Sequence, residues 1–325
     1  MLDILSLKLS AIKKSINSTL AGRNLFGLII VVLVFGCSGN NQFKEHNKLV
    51  STDWLQYHLN DTTLTLIYVG SKFTYDSVHI PNSQYIPVRD LLVRTDSLRN
   101  ELPEISKVDS VLETVGINDY SLIVLCYEND FMIPVAARLF LTLDYAGLGN
   151  QTYVLNGGLV KWVKEGRKTT DSLYDKSPGK ITLTENGEII VSAFELEKFI
   201  NNPDFVIIDA RSVDTYTGQF DSIQKKIEGG HIEGAVSLPV DYLLSDTLPY
   251  MFKDDMELRK EFEKAGMNED KTAVIYCNTG IVASVDYLVS AHLGYKTLFY
   301  DGSFEDWEKL KLPVIKLVSN KSNNH

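Results

Sequence analysis

The stretch Val274-Ile-Tyr-Cys-Asn-Thr-Gly-Ile-Val-Ala283 decides the fold of this chain and contains its candidate nucleophile. The apolar run 273–276 predicts a buried strand, and the apolar spacing across 283–292 predicts a helix. Cys277 therefore follows a strand and precedes a helix, where backbone N–H groups converge and the helix dipole is positive. Such a turn favours a thiolate over a thiol and favours an anion beside it.

Two interpretations of Cys277 are open at this point. In the first, it is a nucleophile in an anion-binding cradle, because Gly280 lets the loop curl so that its amides point inward. In the second, it is a small core hydrophobe, which is the commoner role of a lone cysteine after a buried strand. Under the first interpretation, the active-site loop consists of Asn278, Thr279, Gly280, Ile281 and Val282.

Residues 1–36 predict an export leader that does not belong to the fold. Four basic residues precede the apolar run 25–35, which has the length of a signal-peptide core and is too short for a stop-transfer helix. Cys37 follows this run, as in a bacterial lipoprotein signal, where such a cysteine is lipidated. Val34 and Phe35 depart from the commonest form of that signal. An uncleaved anchor and an ordinary signal peptide are the alternatives, and both also predict export.

The charge of the body excludes some partners. Residues 1–36 carry four basic residues and one acidic residue, so the formal charge of −10 becomes −13 without them. Such an acidic body argues against binding to nucleic acid or to an anionic membrane surface. We therefore expect membrane contact through the N-terminal lipid only, in the cell envelope, with the protein periplasmic or associated with the outer membrane.

The chain contains an internal repeat in which five segments recur in the same order. The pairs are 68–71 with 209–212, 79–88 with 231–240, 116–118 with 266–268, 122–126 with 273–277, and 155–162 with 300–307. In each half, apolar strands alternate with helical stretches such as 255–265. This alternation predicts an α/β fold in which each domain has a mainly parallel sheet flanked by helices. In such sheets the ligand site lies at the carboxyl ends of the strands, where Cys277 falls.

Amino-acid composition indicates where the predicted domains begin and end. The segment 169–188 is rich in Ser, Lys, Gly and Asp, as expected of a linker. The predicted organisation is a leader at 1–36, a tether at 37–48, a first domain at 49–168, the linker, a second domain at 189–318 and a tail at 319–325.

These segments resemble the two-domain rhodanese-type sulfurtransferases, which act on thiosulfate or 3-mercaptopyruvate. The likeness covers about 49–313 and implies two tandem rhodanese-like domains, of which the first is non-catalytic and the second carries the cysteine. Its marks here are Asp209-Ala-Arg-Ser212, Gly230-His-Ile-Glu-Gly-Ala235, Cys277-Asn-Thr-Gly-Ile-Val-Ala283 and Tyr300-Asp-Gly-Ser-Phe-Glu-Asp-Trp307.

The resemblance implies a double displacement through Cys277. Its thiolate would take the outer sulfur of a small anionic donor and become a persulfide, from which a thiol, cyanide or a thioredoxin-like protein would remove that sulfur. A cation must hold the donor's anionic end, and Arg211 is the candidate because its planar fork suits a carboxylate or sulfonate. A purely structural salt bridge is the alternative for Arg211.

His79 is a second candidate for the substrate site. In the mercaptopyruvate branch the equivalent histidine of the first domain faces the active-site loop, and it works with a serine two residues after the cysteine. Thr279 occupies that position here, so the resemblance implies a proton relay between Thr279 and His79. The alternative is that His79 only anchors its own loop, as expected of His231.

The loop departs from both branches. Thr215 replaces a second substrate arginine of the family, and Asn278 and Thr279 replace the basic residues of the thiosulfate branch. An unusual donor or weak activity is therefore open, and thiosulfate is the less supported donor. Cys126 is followed by the acidic segment 128–130, which would oppose a thiolate, so a buried structural cysteine is the better interpretation. A disulfide between Cys126 and Cys277 is the lesser alternative because it would consume the nucleophile.

Two other function classes compete with the sulfurtransferase. A phosphatase of a related fold needs an arginine at position 283, and the residue there is Ala283. An inactive sulfur-carrying or binding module is supported by Thr215 and opposed by the retention of Cys277 and Arg211. The histidines and cysteines show no zinc-like clustering and no glycine-rich nucleotide loop follows a strand, so neither a metal nor another cofactor is expected.

Overall fold

The computed structural model describes residues 47–219 and 229–317. The predicted leader, Cys37, most of the tether and the tail at 319–325 lie outside these residues. Within the described ranges, no helix has the length and apolar character needed to cross a membrane.

The first half of the described chain forms a five-stranded sheet whose strands are all parallel, in the order β1-β5-β4-β2-β3. Its strands are β1 (Leu49–Val50), β2 (Leu64–Val69), β3 (Gln84–Tyr85), β4 (Leu122–Tyr127) and β5 (Thr152–Leu155). Its helices are α1 (Thr52–His58), α2 (Lys72–Ser77), α3 (Ile105–Thr114), α4 (Ile133–Tyr145) and α5 (Gly158–Lys164). The central strands β2 and β4 are mostly apolar because helices cover both faces of a parallel sheet.

The second half repeats this plan around a four-stranded parallel sheet in the order β10-β9-β6-β8, with a separate antiparallel pair β7–β11. Its strands are β6 (Phe205–Asp209), β7 (His231–Ile232), β8 (Val236–Ser237), β9 (Thr272–Tyr276), β10 (Lys296–Phe299) and β11 (Val314–Ile315). Its helices are α6 (Ala193–Phe199), α7 (Val213–Thr217), α8 (Asp255–Lys264), α9 (Ala283–Leu293) and α10 (Ser303–Lys309). The predicted parallel α/β fold is confirmed.

The largest hydrophobic core is shared by both halves, because α4 of the first packs against α9 of the second. Phe140 on α4 and Tyr287 on α9 approach with ring centroids 6.4 Å apart. A separate core lies on the opposite face of each sheet and includes Trp162 in the first half and Trp307 in the second. The shared core places the carboxyl end of β9 against the first half of the chain.

Strand register corrects one detail of the predicted repeat. Leu125 pairs with Val154 in the first sheet as Ile275 pairs with Phe299 in the second, and both belong to the shared core. Tyr127 and Cys277 each lie two residues further along the same face. The counterpart of Cys277 is therefore Tyr127 and not Cys126, whose side chain faces the opposite core. Sequence matching alone aligned the two cysteines and was wrong by one residue.

Candidate active site

Cys277 lies directly after β9, at the carboxyl end of the second sheet. Its side chain lines a pocket of about 350 Å³, while the residue as a whole is only 2% exposed. The backbone N–H of Cys277 donates to Ser303 Oγ at 3.3 Å, and its carbonyl oxygen accepts from the N–H of Phe304 at 3.0 Å. The first turn of α10 thus fixes the backbone of this residue at the wall of the pocket.

The active-site loop curls at Gly280, where φ is +76°. A β-carbon at this position would approach Arg138 Nη1 at 2.9 Å and the carbonyl oxygen of Asp301 at 3.1 Å, so both conformation and space require glycine. Ser284 Oγ donates to the Gly280 carbonyl at 2.7 Å from the first turn of α9. The loop therefore ends at the N-terminus of an 11-residue helix, as the sequence predicted.

The pocket receives side chains from both halves of the chain. Four of the five predicted loop residues line it, namely Asn278, Thr279, Ile281 and Val282. Arg211, Thr215 and Asp241 line it from the second half, and Arg99 lines it from the first half. The structure thus brings Cys277, the loop and Arg211 together, and it adds an arginine that sequence reasoning missed.

Arg211 lies at the pocket wall but is engaged mainly in a buried ion pair. Its Nε and Nη2 donate to the Asp209 carboxylate at 2.9 and 2.6 Å, and Nη2 also donates to the carbonyl of Gly230. Burial opposes the charge, but the hydrogen bonds and charge of Asp209 raise the pKa of the Arg211 guanidinium above its usual value. Only Nη1 is directed toward the loop, 3.5 Å from Asn278 Oδ1.

The Asp209 carboxylate is itself held by the sheet. It accepts from the Tyr276 hydroxyl at 2.7 Å, and the guanidinium of Arg211 stacks 3.8 Å from the centroid of the Phe304 ring. This network engages Nε and Nη2 of Arg211 and leaves Nη1 toward the loop. The structural salt bridge, which was the alternative for this residue, is therefore present, together with one donor that faces the pocket.

Residues of the first half hold the active-site loop from the other side. Asn100 Nδ2 donates to Thr279 Oγ1 at 3.0 Å. Arg138 on α4 is fully buried, and its Nη1 donates to Asp301 Oδ1 at 2.6 Å and to the Gly280 carbonyl at 3.3 Å. These contacts stabilise a loop that belongs to the second half through side chains that belong to the first.

Glu101 lies beside this buried ion pair. Burial, followed by the negative charge of Asp301, raises its pKa to about 7, although Arg138 acts in the opposite direction. Its Oε1 atom is buried with no hydrogen-bond partner among the described residues. The segment 99–102 had no sequence signal, because its contacts with the second half are with residues about 180–200 positions away.

The structure does not bring His79 into the pocket, and this corrects the predicted relay with Thr279. His79 is fully buried, its Nδ1 lies 2.5 Å from the carbonyl oxygen of Tyr75, and its ring stacks on the Tyr75 ring. His231 makes the same two contacts with Tyr216 in the second half. Through its Nδ1 atom and its ring, His79 therefore anchors its own loop, and its buried Nε2 atom has no hydrogen-bond partner among the described residues.

Cys126 is buried in the separate core of the first half, whereas Cys277 belongs to the core that the two halves share. Burial raises the pKa of the Cys126 thiol above its usual value, which disfavours a thiolate. Both cysteines are free thiols, so the disulfide alternative is wrong for the described chain. Within the described residues, no group of three or more His, Cys, Asp or Glu side chains is arranged to hold a metal ion.

Comparison with known protein families assigns both halves to the same kind of domain. The sequence profile of the rhodanese-like domain matches residues 51–165 and 192–310. The chain is similar to the sulfur carrier protein TtuD of Thermus thermophilus, with 31% identity over 286 residues that span 82% of this chain and 96% of the relative. It is 25% identical over 278 residues to the 3-mercaptopyruvate sulfurtransferase of Escherichia coli, spanning 82% and 96%. It is 27% identical over 254 residues to the thiosulfate sulfurtransferase of Azotobacter vinelandii, spanning 78% and 91%.

Solved structures give the same fold. The crystal structure of SseA from Escherichia coli aligns with a TM-score of 0.68 and 24% identity, covering 79% of this chain and 98% of that one. The wild-type structure of EanB aligns with a TM-score of 0.73 and 20% identity, covering 85% and 70%. At these identities the structural likeness supports the fold.

Proposed function

This chain belongs to the rhodanese family, and from that premise we propose that it is a sulfurtransferase that forms a persulfide on Cys277. The observation that carries the proposal is the position of Cys277, which lines a pocket at the carboxyl end of a parallel sheet and precedes the N-terminus of α9. A helix N-terminus and converging amides stabilise negative charge on sulfur. Relatives named as sulfurtransferases support the reaction class.

The proposed reaction has two displacements. The Cys277 thiolate attacks the outer sulfur of a small anionic donor, a new S–S bond forms, and the donor's bond to that sulfur breaks. With thiosulfate the leaving group is sulfite, and with 3-mercaptopyruvate it is the enolate of pyruvate, which then takes a proton. A thiol, cyanide or a thioredoxin-like protein next attacks the outer sulfur, and Cys277 returns as the thiolate.

Within the second half, we assign the binding of the donor in this pocket to the Arg211 Nη1 atom and the active-site loop. Thr279 donates no proton to His79 in this scheme. Between the two donors, 3-mercaptopyruvate is favoured, because Asp241 also lines the pocket and repels the second negative charge of thiosulfate.

Intact-protein mass after incubation with each donor tests the proposal. We expect a gain of about one sulfur mass, roughly 32 Da, in the unmodified sequence and in Cys126→Ser, and no gain in Cys277→Ser. Cys126→Ser is the matched control because Cys126 is a free thiol on the other face of its sheet. Persulfide formation in Cys277→Ser, or none in the unmodified sequence with any donor, would refute the assignment.

A sulfur carrier is the second candidate, and the 31% identity to a relative named as a sulfur carrier favours it. A carrier would be loaded by another persulfide protein and would turn over small donors slowly. Loading by a persulfidated donor protein at a rate at least tenfold above loading by 3-mercaptopyruvate would select the carrier. The reverse order would select the enzyme.

We also propose export as a lipoprotein anchored through Cys37, on the strength of the basic and apolar leader at 1–36. Labelling with a fatty-acid analogue in a bacterial host tests it. We expect incorporation into the full chain and none into Cys37→Ser, and equal labelling of both would overturn the proposal.

A further inference from the structure

The second half of the chain leaves the pocket with little free positive charge. Arg211 is paired in both its Nε and Nη2 positions with Asp209, and the position of the family's second arginine is Thr215. Thr215 carries a hydroxyl that interacts with Ser212 at 2.9 Å. Asp241 adds a negative charge to the same wall. From the second half, an anionic donor is therefore offered only the Arg211 Nη1 atom as a charged hydrogen-bond donor among the described residues.

Arg99 is a second guanidinium at the pocket; it comes from the first half and is ion-paired through Nε with Glu305. Its side chain is 44% exposed and lines the pocket that contains Cys277. Its Nε lies 3.0 Å from Glu305 Oε1, which fixes the base of the guanidinium. Within the described chain, neither Nη1 nor Nη2 has a hydrogen-bond partner. Arginine Nη atoms that are free at a pocket wall present a planar pair of donors to a carboxylate.

The segment that carries Arg99 is held in place on both sides. The backbone N–H of Arg99 donates to Glu305 Oε2 at 3.2 Å, and that of Leu102 donates to Asp301 Oδ2 at 2.8 Å. Between them, Asn100 adopts a positive φ of 63° and bonds to Thr279. These contacts attach the segment to α10 and to the active-site loop. They therefore fix the backbone of Arg99 beside the pocket.

We propose that Arg99 is a specificity-determining residue that binds the carboxylate of the sulfur donor across the domain boundary, in the role that the family gives to the arginine replaced by Thr215. This proposal rests on the proposed function of the pocket. The donor then contacts both halves at once, with its carboxylate at Arg99 and its sulfur at Cys277. The substrate class is a thiol or persulfide that carries a carboxylate.

Steady-state kinetics with 3-mercaptopyruvate test the role of Arg99. We expect Arg99→Gln to raise KM about 10-fold or more, because the charge-assisted hydrogen bond to the carboxylate is lost, while kcat changes less than about threefold. Arg99→Lys should recover part of the loss. Arg89→Gln is the matched control, because Arg89 is exposed and lies outside the pocket. We expect Arg89→Gln to leave KM unchanged.

A rescue experiment separates the pocket cation from a structural effect. The double variant Arg99→Gln/Thr215→Arg places the positive charge on the other wall of the same pocket. We expect its KM to return to within about threefold of the original value, because the Coulombic attraction depends on the charge and not on the domain that supplies it. Failure of this rescue together with a fall in kcat would mean that Arg99 acts only on the fold.

A binding readout keeps the anion site distinct from the proposed reaction. Pyruvate, which carries the same carboxylate but no sulfur, should slow alkylation of Cys277 by iodoacetamide in the unmodified sequence and fail to do so in Arg99→Gln. Protection without persulfide formation would support the anion site and refute the sulfurtransferase. Equal KM and equal protection in Arg99→Gln and the unmodified sequence would overturn the inference.

Discussion

The two halves of this chain use one framework, and the pocket with a cysteine in its wall lies at the carboxyl end of the second sheet. Ser71 and Ser212 cap equivalent helices, and each side chain accepts a backbone N–H three residues later. His79 and His231 stack on equivalent tyrosines. These helix caps and histidine stacks are therefore the same in both halves. The halves differ in a few side chains at the carboxyl edge of each sheet.

The first half closes this edge with an aromatic ring. Tyr127 occupies the position of Cys277, and its hydroxyl accepts the N–H of Gly157 at 2.8 Å. A β-carbon on Gly158 would approach the Tyr127 ring at 2.4 Å, so glycine makes room for the ring. Ser303 stands at the equivalent of Gly158 and accepts the Cys277 N–H. The first sheet therefore has a buried tyrosine ring at the position where the second sheet has Cys277 at the pocket.

The first half nevertheless contributes to the reactive site. Arg99, Asn100 and Arg138 reach the pocket or its loop from the first half. The first half, which does not carry Cys277, therefore supplies side chains around the pocket and its loop. The residues around this pocket thus come from both copies of one fold.

The largest expected effect is that of Arg138→Met, which breaks the contact between the halves. Removing one partner of a buried ion pair leaves Asp301 uncompensated, and this costs about 3–5 kcal/mol in the free energy of unfolding. Denaturant titration measures the loss. The double variant Arg138→Met/Asp301→Asn should lose less than the single variant, because no unpaired charge remains. Equal losses would show that the pair is not coupled.

A smaller effect is expected for Tyr127→Cys, which places cysteine at the counterpart of position 277. The lost ring leaves a cavity and should cost about 2–4 kcal/mol in the free energy of unfolding. We expect no persulfide on residue 127, because the counterpart of Arg211 is Gly70 and the β4–α4 connection contains Glu128. Mass analysis after donor treatment in a Cys277→Ser background checks this. Persulfidation at residue 127 would contradict the view that a cysteine at this position needs the active-site loop 278–282 to react.

The smallest expected effect is that of Asp286→Leu, which gives α9 the residue that its counterpart Leu139 has in α4. Asp286 is fully buried and neither carboxylate oxygen has a partner among the described residues. Burial, and then the charge of Asp209, raise its pKa well above the usual value. The folded state therefore holds a proton that the unfolded chain releases above about pH 4, and stability falls as pH rises toward the folded pKa.

Asp286→Leu removes this pH dependence. We expect the variant to be more stable by about 1–3 kcal/mol at pH 8, with a smaller difference at pH 5, when denaturant titrations are compared at the two values. Asp286→Asn is the control that keeps the polar shape and removes the titration. A gain in stability that grows as pH falls would mean that the pKa of Asp286 is lowered, not raised, by folding.

Much of the fold followed from local pattern. The strand predicted at 273–276 is observed as Thr272–Tyr276, and the helix predicted at 255–265 is observed as Asp255–Lys264 with Leu258 and Phe262 buried. The turn at Cys277 and the need for Gly280 also followed, because a strand-to-helix turn is a local property of the chain. The alignment of Cys126 with Cys277 failed because identical letters were given more weight than the alternation of faces along β4.

The sequence by itself determined the repeated α/β fold, the cysteine at the end of a strand and the neutral Thr215, because periodicity and residue type are read within about ten positions. The tertiary structure alone decided that Arg211 is paired with Asp209, that His79 is buried on Tyr75 and that Arg99 reaches the pocket. The physical reason is that these outcomes depend on which charged groups meet after the two halves pack. A guanidinium can bind a ligand only through the donors that its neighbouring carboxylate leaves unengaged, and these donors are decided by packing.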